Sequence, residues 1–132
     1  MSTGLTEENY EALSKYHQAR AHETLDKIHI YGNGGYYNTA TNRLYYACYY
    51  AAAVLLTKHR ISVGTHAEVR MMLGLHFVSK GLITKESGRV LANLFDCRQR
   101  VDYDEFVSCK NEVDELYPKA QRFIEEIDAF LG

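Results

Sequence analysis

Between residues 40 and 55, apolar side chains recur at Ala40, Leu44, Ala47, Cys48, Ala51, Ala52 and Leu55, the spacing of one unbroken α-helical face. The other faces of this stretch carry Tyr45, Tyr46, Tyr49, Tyr50, Ala53, Val54 and Leu56. A helix that is apolar nearly all round is enclosed on several sides, so the pattern predicts a central helix from about Thr39 to Lys58, capped by Asn38 or Thr39.

Four further helices follow from the same reading. Leu5, Thr6 and Tyr10 suit a hydrophobic staple around an N-cap, and helix 1 starts near Glu7. Its inner face is Tyr10, Leu13, His17, Ala21, Thr24, Leu25 and Ile28, with charged residues opposite. Gly32, Asn33, Gly34 and Gly35 end it. A phosphate-cradling reading of that loop lacks the G-K-[ST] ending and a preceding strand, which leaves a crossover. Arg60 to Gly64 is a turn. Thr65 and Glu68 form a capping box that opens helix 3, expected between His66 and Ser79 with Val69, Met72, Leu73 and His76 or Phe77 inward. Gly81 stops it. Thr84 caps helix 4, whose apolar residues are Val90, Leu91, Leu94, Phe95 and Cys97.

Around Arg98 to Tyr103 the apolar spacing breaks, and Asp102 with Glu105 reads as the start of helix 5. Phe106, Cys109, Val113, Leu116 and Tyr117 continue its inner face, followed by Ala120, Phe123, Ile124, Ile127 and Leu131. Pro118 predicts a kink or a restart there. Short connections make neighbouring helices antiparallel, so the expected fold is a single all-α domain over residues 1–132, an antiparallel up-and-down bundle of four to five helices.

Composition narrows the function classes. A chain of 132 residues, 46% hydrophobic and 24% charged, is long enough for one core without disulfides or metal. The net charge of −2 supplies no global field for nucleic acid or an anionic membrane, so any such binding must come from a local patch. Cys48, Cys97 and Cys109 are odd in number and lack C-x-x-C spacing, which suggests reduced thiols in a cytoplasmic protein. No basic leader followed by an apolar run opens the sequence, and no apolar run reaches spanning length. The six histidines form no H-x-x-x-H or H-E-x-x-H pair, so neither a metal nor another cofactor is expected. His66 is expected to face solvent or bond a loop carbonyl, and His76 to be partly buried.

Two polar constellations could carry chemistry. In CRQRVDYDEF, Arg98, Arg100, Asp102 and Tyr103 could grip phosphate bidentately and stack a base. Equally, Asp102 could cap helix 5 while an arginine pairs with it, and spacing alone favours this simpler account. In the central helix, Tyr45 with Tyr49 and Tyr46 with Tyr50 are i,i+4 ladders, with Arg43 one turn before Tyr46. An open ladder could stack nucleobases, but core or dimer interface is the commoner fate of such rings.

The succession NTATNRLYYACYYAAAVLL, His66, HFVSKGLITKESGRVLANLF and CRQRVDYDEF resembles the HEPN superfamily (higher eukaryotes and prokaryotes nucleotide-binding domain), in particular a branch of small prokaryotic proteins, over about residues 10 to 130. Arg43, Tyr45, Tyr46 and Ala47 match that branch's R-x-Y-Y-A core; His66 matches a helix-opening histidine, and Arg98, Asp102 and Tyr103 match R-x3-D-Y. The resemblance implies a helical bundle that dimerises. It also implies a possible minimal nucleotidyltransferase partner in a toxin–antitoxin arrangement, and nucleotide or RNA as ligand. Many HEPN proteins are metal-independent ribonucleases with an R-x4-6-H motif, but here Tyr103 stands where histidine is expected. An unperturbed phenol ionises near pH 10, about three units too high for a neutral-pH base. The preferred expectation is therefore a non-catalytic module that binds through Arg43, Tyr46, Arg98, Asp102 and Tyr103. The alternative is a divergent endoribonuclease using Arg98 with Tyr103 or His66, and a plain scaffold is the residual case.

Overall fold

The computed structural model describes residues 7–28, 37–103 and 110–131, with the side chains of 37–38, 101–103 and 110–112 outside that description. The described residues form helices and no strand. In chain order the helices are α1 (Glu7–Asp26), α2 (Tyr37–Lys58), α3 (His66–Leu73, continued by a π turn over Gly74–Val78), α4 (Lys85–Tyr103) and α5 (Lys110–Leu131). The expected all-α bundle is the fold. None of these helices is long and apolar enough to cross a membrane.

Helix α2 is the hub, packing against α1, α3, α4 and α5. Ala40, Leu44, Tyr45, Ala47, Cys48 and every residue from Ala51 to Leu56 are buried. The alanines let neighbouring backbones come close, and the larger side chains of α4 and α5 fill the space between. The helix starts at Tyr37, so Asn38 and Thr39 lie inside it and neither is its cap. At its other end Arg60 takes a left-handed φ of 60°, and the Ile61 amide reaches back to the Leu56 carbonyl at 2.9 Å, a Schellman-type closure. The Arg60 guanidinium lies 4.2 Å from the Tyr10 ring centroid and pairs with Glu7. It thereby ties the start of α1 to the end of α2. Since Tyr50 meets His17 farther along, α1 and α2 run antiparallel.

Helix α1 buries Ser14, Ala21 and Leu25. Leu13 and His17 are only half-buried, so the inner stripe is rotated slightly from the predicted one. Thr65 caps α3 by accepting from the Glu68 amide at 3.1 Å. Glu68 answers through the Gly64 amide at 3.0 Å, one residue earlier than in the standard reciprocal box. Val69, Leu73 and Phe77 are buried. The π turn is marked by the Ser79 amide bonding the Gly74 carbonyl at 2.9 Å, an i→i−5 link, and Gly81 (φ +74°) ends the segment. Thr84 caps α4 through the Ser87 amide at 3.2 Å.

Two expectations about the C-terminal half are corrected. Helix α4 continues without a break through Tyr103, so the fault in apolar spacing at Arg98 falls inside a helix and Asp102 does not start the last one. Of the kink or restart expected at Pro118, the restart does not occur, since α5 is one helix through it; Pro118 is exposed and costs the helix one amide, that which would have met the Asp114 carbonyl. The Thr6 staple, the Gly32–Gly35 loop, Phe106 and Cys109 lie outside the described residues. The acidic face of α5 is more structured than its composition suggests. Glu126 accepts from the Thr84 amide at 2.7 Å and the Ser87 hydroxyl at 2.6 Å. Asp128 accepts from Gln18 at 3.0 Å and lies 2.7 Å from His22 Nε2.

Candidate functional site

The residues that gather come from three helices. Tyr45, Tyr46 and Tyr49 sit on α2, His66 and Arg70 on α3, and Phe95 and Arg98 on α4. Helix α2 positions the tyrosines because the i,i+4 spacing of Tyr45 and Tyr49 aligns them on one side. Tyr45 is fully buried. Tyr46, Tyr49, His66, Arg70 and Arg98 are half-buried, which leaves them partly within reach of solvent.

His66 is the junction. Its Nδ1 is 2.7 Å from the Tyr45 hydroxyl, and its ring stacks on Tyr49 with centroids 4.4 Å apart at 23°. It therefore neither faces solvent freely nor bonds a loop carbonyl, as the sequence suggested; capping by Thr65 turns the first residue of α3 inward over α2. The Arg98 guanidinium lies 5.3 Å from the Tyr45 ring centroid and 5.1 Å from that of Tyr46, within cation–π range. Arg70 stacks on Phe95 at 4.0 Å. Two guanidiniums thus flank one imidazole on an aromatic floor.

This setting fixes protonation. Burial, then the guanidiniums of Arg98 and Arg70, hold His66 below the ordinary imidazole value of 6.5, so the ring is neutral at pH 7 and its nitrogens supply one donor and one acceptor. Burial pushes the Tyr45 phenol up to about 12 and raises Tyr49 as well, so both stay protonated. Burial also lowers His17, which leaves it an uncharged ring beside Tyr50.

These shifts predict a stability plateau with two edges. His17 and His66 bind a proton more readily when unfolded, so their contribution is complete above pH 6.5 and is lost as pH falls through the lower folded values. Tyr45 loses its contribution as pH rises from 10 towards 12, and Tyr49, also raised by burial, loses its own in the same direction above 10. Melting temperature measured from pH 5 to pH 8 is expected to climb and level off near 7. A His17→Gln, His66→Gln double variant should flatten that climb; an unchanged slope would show that other groups set it.

Among the sequence candidates, the structure unites Tyr46, His66 and Arg98. Arg43 is exposed and lines a different, shallow cleft with Arg20, Glu23, Thr24 and Lys27 between α1 and α2. Arg100 points to another flank, beside Asn93, Asp96 and Glu115. Asp102 and Tyr103 share helix α4 with Arg98, but their side chains lie outside the described residues. Arg70 was missed by sequence reasoning, although its i+4 spacing from His66 at the start of a capped helix places both on one face. Among the described residues, no three His, Cys, Asp or Glu side chains gather where they could hold a metal ion.

Comparison with known proteins places this arrangement. The HEPN domain family matches residues 14–129, a span that includes every residue of the cluster. A protein of Thermotoga maritima named "UPF0332 protein" is 30% identical over 122 residues, covering 92% of each chain. Two proteins of Methanocaldococcus jannaschii, each named "putative toxin", are 30% and 26% identical over 107 and 113 residues. These matches cover 81% and 85% of this chain and 80% and 77% of theirs. With the match running from α1 nearly to the end of α5, and with the helical bundle to go with it, the chain belongs to the HEPN domain family.

Proposed function

We propose that the protein is an RNA- or nucleotide-binding component of a toxin–antitoxin type system, acting as a homodimer and paired with a minimal nucleotidyltransferase. The reading rests on family membership and on the names of its two archaeal relatives. The observation that carries it is the pair of guanidiniums beside the neutral His66, Arg98 over the rings of Tyr45 and Tyr46 and Arg70 over that of Phe95. Arginine beside aromatic faces suits a phosphate with a base attached, since the fork grips the anion while the rings take the base. The chain's overall charge is slightly negative, so recognition must be local to this patch.

The test is binding of a labelled single-stranded oligoribonucleotide by wild type and Arg98→Ala. Loss of one charge-assisted phosphate contact is expected to weaken binding about ten- to a hundredfold, with a shallower dependence on salt. Equal affinity of the two proteins would remove Arg98 from the site. Copurification of the nucleotidyltransferase encoded nearest to this chain would support the partner; failure to copurify at micromolar concentration would count against it.

A second reading, a metal-independent endoribonuclease, is favoured by one specific feature. His66 is uncharged and anchored by Tyr45 beside Arg98, so it can accept a proton from a ribose hydroxyl while the guanidinium meets the developing phosphorane charge. Incubating labelled RNA in chelator with wild type, Arg98→Ala and His66→Ala decides it: identical background cleavage by all three eliminates catalysis.

A further inference from the structure

The aromatic contacts do not stop at the cluster. Tyr46 is 6.1 Å from Tyr50, ring centroid to centroid, Tyr50 is 6.0 Å from His17 at 21°, and His17 is 5.7 Å from Tyr16. This row leaves α2, crosses to α1 and ends on Tyr16, which is 56% exposed. A guanidinium attends each end of its inner half, Arg98 at 5.1 Å from Tyr46 and Arg20 at 5.4 Å from Tyr50.

From these contacts we infer that single-stranded RNA runs across the α1–α2 face along Tyr46, Tyr50, His17 and Tyr16, with Arg20 forming a second phosphate contact beyond Arg98. The inference rests on the RNA-binding reading above and extends it to a helix that carries none of the residues named there.

Three features suit this ligand class. Half-buried rings 5.7–6.1 Å apart, ending on the exposed Tyr16, offer a run of aromatic contacts that any base can use. The two arginines beside Tyr46 and Tyr50 can hold phosphates bidentately while their planes stack. His17 adds a ring face without adding charge, because burial holds it below the ordinary imidazole value. An acidic peptide would use the guanidiniums but gain little from the rings. The neighbouring cleft agrees in sign: Lys27 is engaged by Glu23 at 3.3 Å, while Arg20 and Arg43 line the same opening.

The experiment is fluorescence anisotropy of a labelled single-stranded oligoribonucleotide with wild type, Arg20→Gln, Tyr16→Ala, Arg98→Ala and Arg122→Gln. Tyr16 and Arg20 are not core residues, and matching melting curves confirm that the variants fold. Arg20→Gln is expected to weaken binding about tenfold and to reduce the salt slope by about 0.7, the share of one phosphate contact on a single strand. Tyr16→Ala is expected to weaken binding severalfold at any salt, the signature of lost stacking. Arg122→Gln, on α5 beside Glu86 at the opposite end of α4 from Arg98, should bind as wild type does. If Arg98→Ala weakens binding while Arg20→Gln and Tyr16→Ala do not, the track ends at Tyr46 and this inference falls with the site reading intact. Equal weakening by Arg122→Gln would show unspecific charge attraction and overturn it too. No binding by wild type would remove both readings together.

Discussion

Replacing Tyr45 with alanine is expected to cost about 3–5 kcal/mol, the usual loss when a large aromatic ring is cut from a core. Against a domain stability of roughly 5–15 kcal/mol, that is enough to leave a substantial unfolded population on mild heating. Tyr45 is fully buried, and its ring meets Tyr46, Tyr49, His66 and Phe95, so no single neighbour can close the gap. Tyr45→Phe isolates the hydroxyl. It keeps the ring and removes only the bond to His66, for which a loss of about 1 kcal/mol is expected, since His66 is half-buried and water can replace the partner. Urea unfolding of the two variants separates ring from hydroxyl. A loss below about 1 kcal/mol in Tyr45→Ala would mean that the ring is not the floor of the site. The same residue therefore serves core and site, which explains why the cluster sits on the most enclosed helix instead of on a loop.

The parts of this fold that periodicity encodes were legible. Helix α2 could be read because its apolar face repeats without a fault from Ala40 to Leu55, and the starts of α3 and α4 because Thr65 and Thr84 carry hydroxyls that cap locally. The end of α4 was misread for a related reason. Asp102 and Glu105 spell a local start signal, yet α4 continues past Asp102; tertiary packing overrides a short propensity signal. The π turn was invisible, because one extra residue per turn leaves no mark in composition and shows only in the Ser79 to Gly74 bond. Contacts distant in sequence were the other blind spot. Glu126 and Asp128 carry no signal in sequence of the partners they find, 42 and 106 residues away at the start of α4 and on α1.

The candidate site was half legible for the same reason. Tyr46, His66 and Arg98 could be proposed from the family resemblance, and the bundle brings them together. Arg43 stands on the same helix one turn before Tyr46, but its exposed side chain lines the cleft with Arg20, Glu23, Thr24 and Lys27 and does not join the cluster. Arg70 carries no motif of its own; only the stacking on Phe95 reveals its place. Resemblance marks residues that share a role, whereas side chains that build the surroundings of that role are found by geometry.

Phe123→Ala is expected to cost about 3–5 kcal/mol as well, and it tests what holds α5 in the bundle. Two kinds of tie compete for that role. The polar ties are Glu126 at the start of α4 and Asp128 with Gln18 and His22; hydrogen bonds and partly exposed ion pairs of this kind are each worth about 1 kcal/mol or less. The apolar tie is the seam of Ala120, Phe123, Ile124 and Ile127, all at 0–1% exposure, where truncating one ring opens a cavity that its neighbours on the rigid α2 cannot fill. Burial should win by a factor of about three. Glu126→Gln and Phe130→Ala supply the scale. Phe130, 37% exposed, meets the Phe77 ring edge-on and the His59 ring at a tilt, and should lose about 1 kcal/mol. If Glu126→Gln destabilised as much as Phe123→Ala in urea, the helix would be held by its caps, and the site on α4 would depend on charge pairing at the far end of that helix. If Phe123→Ala dominates as expected, the aromatic floor under Arg98 is set by packing alone, and the polar surface above it is left for a ligand.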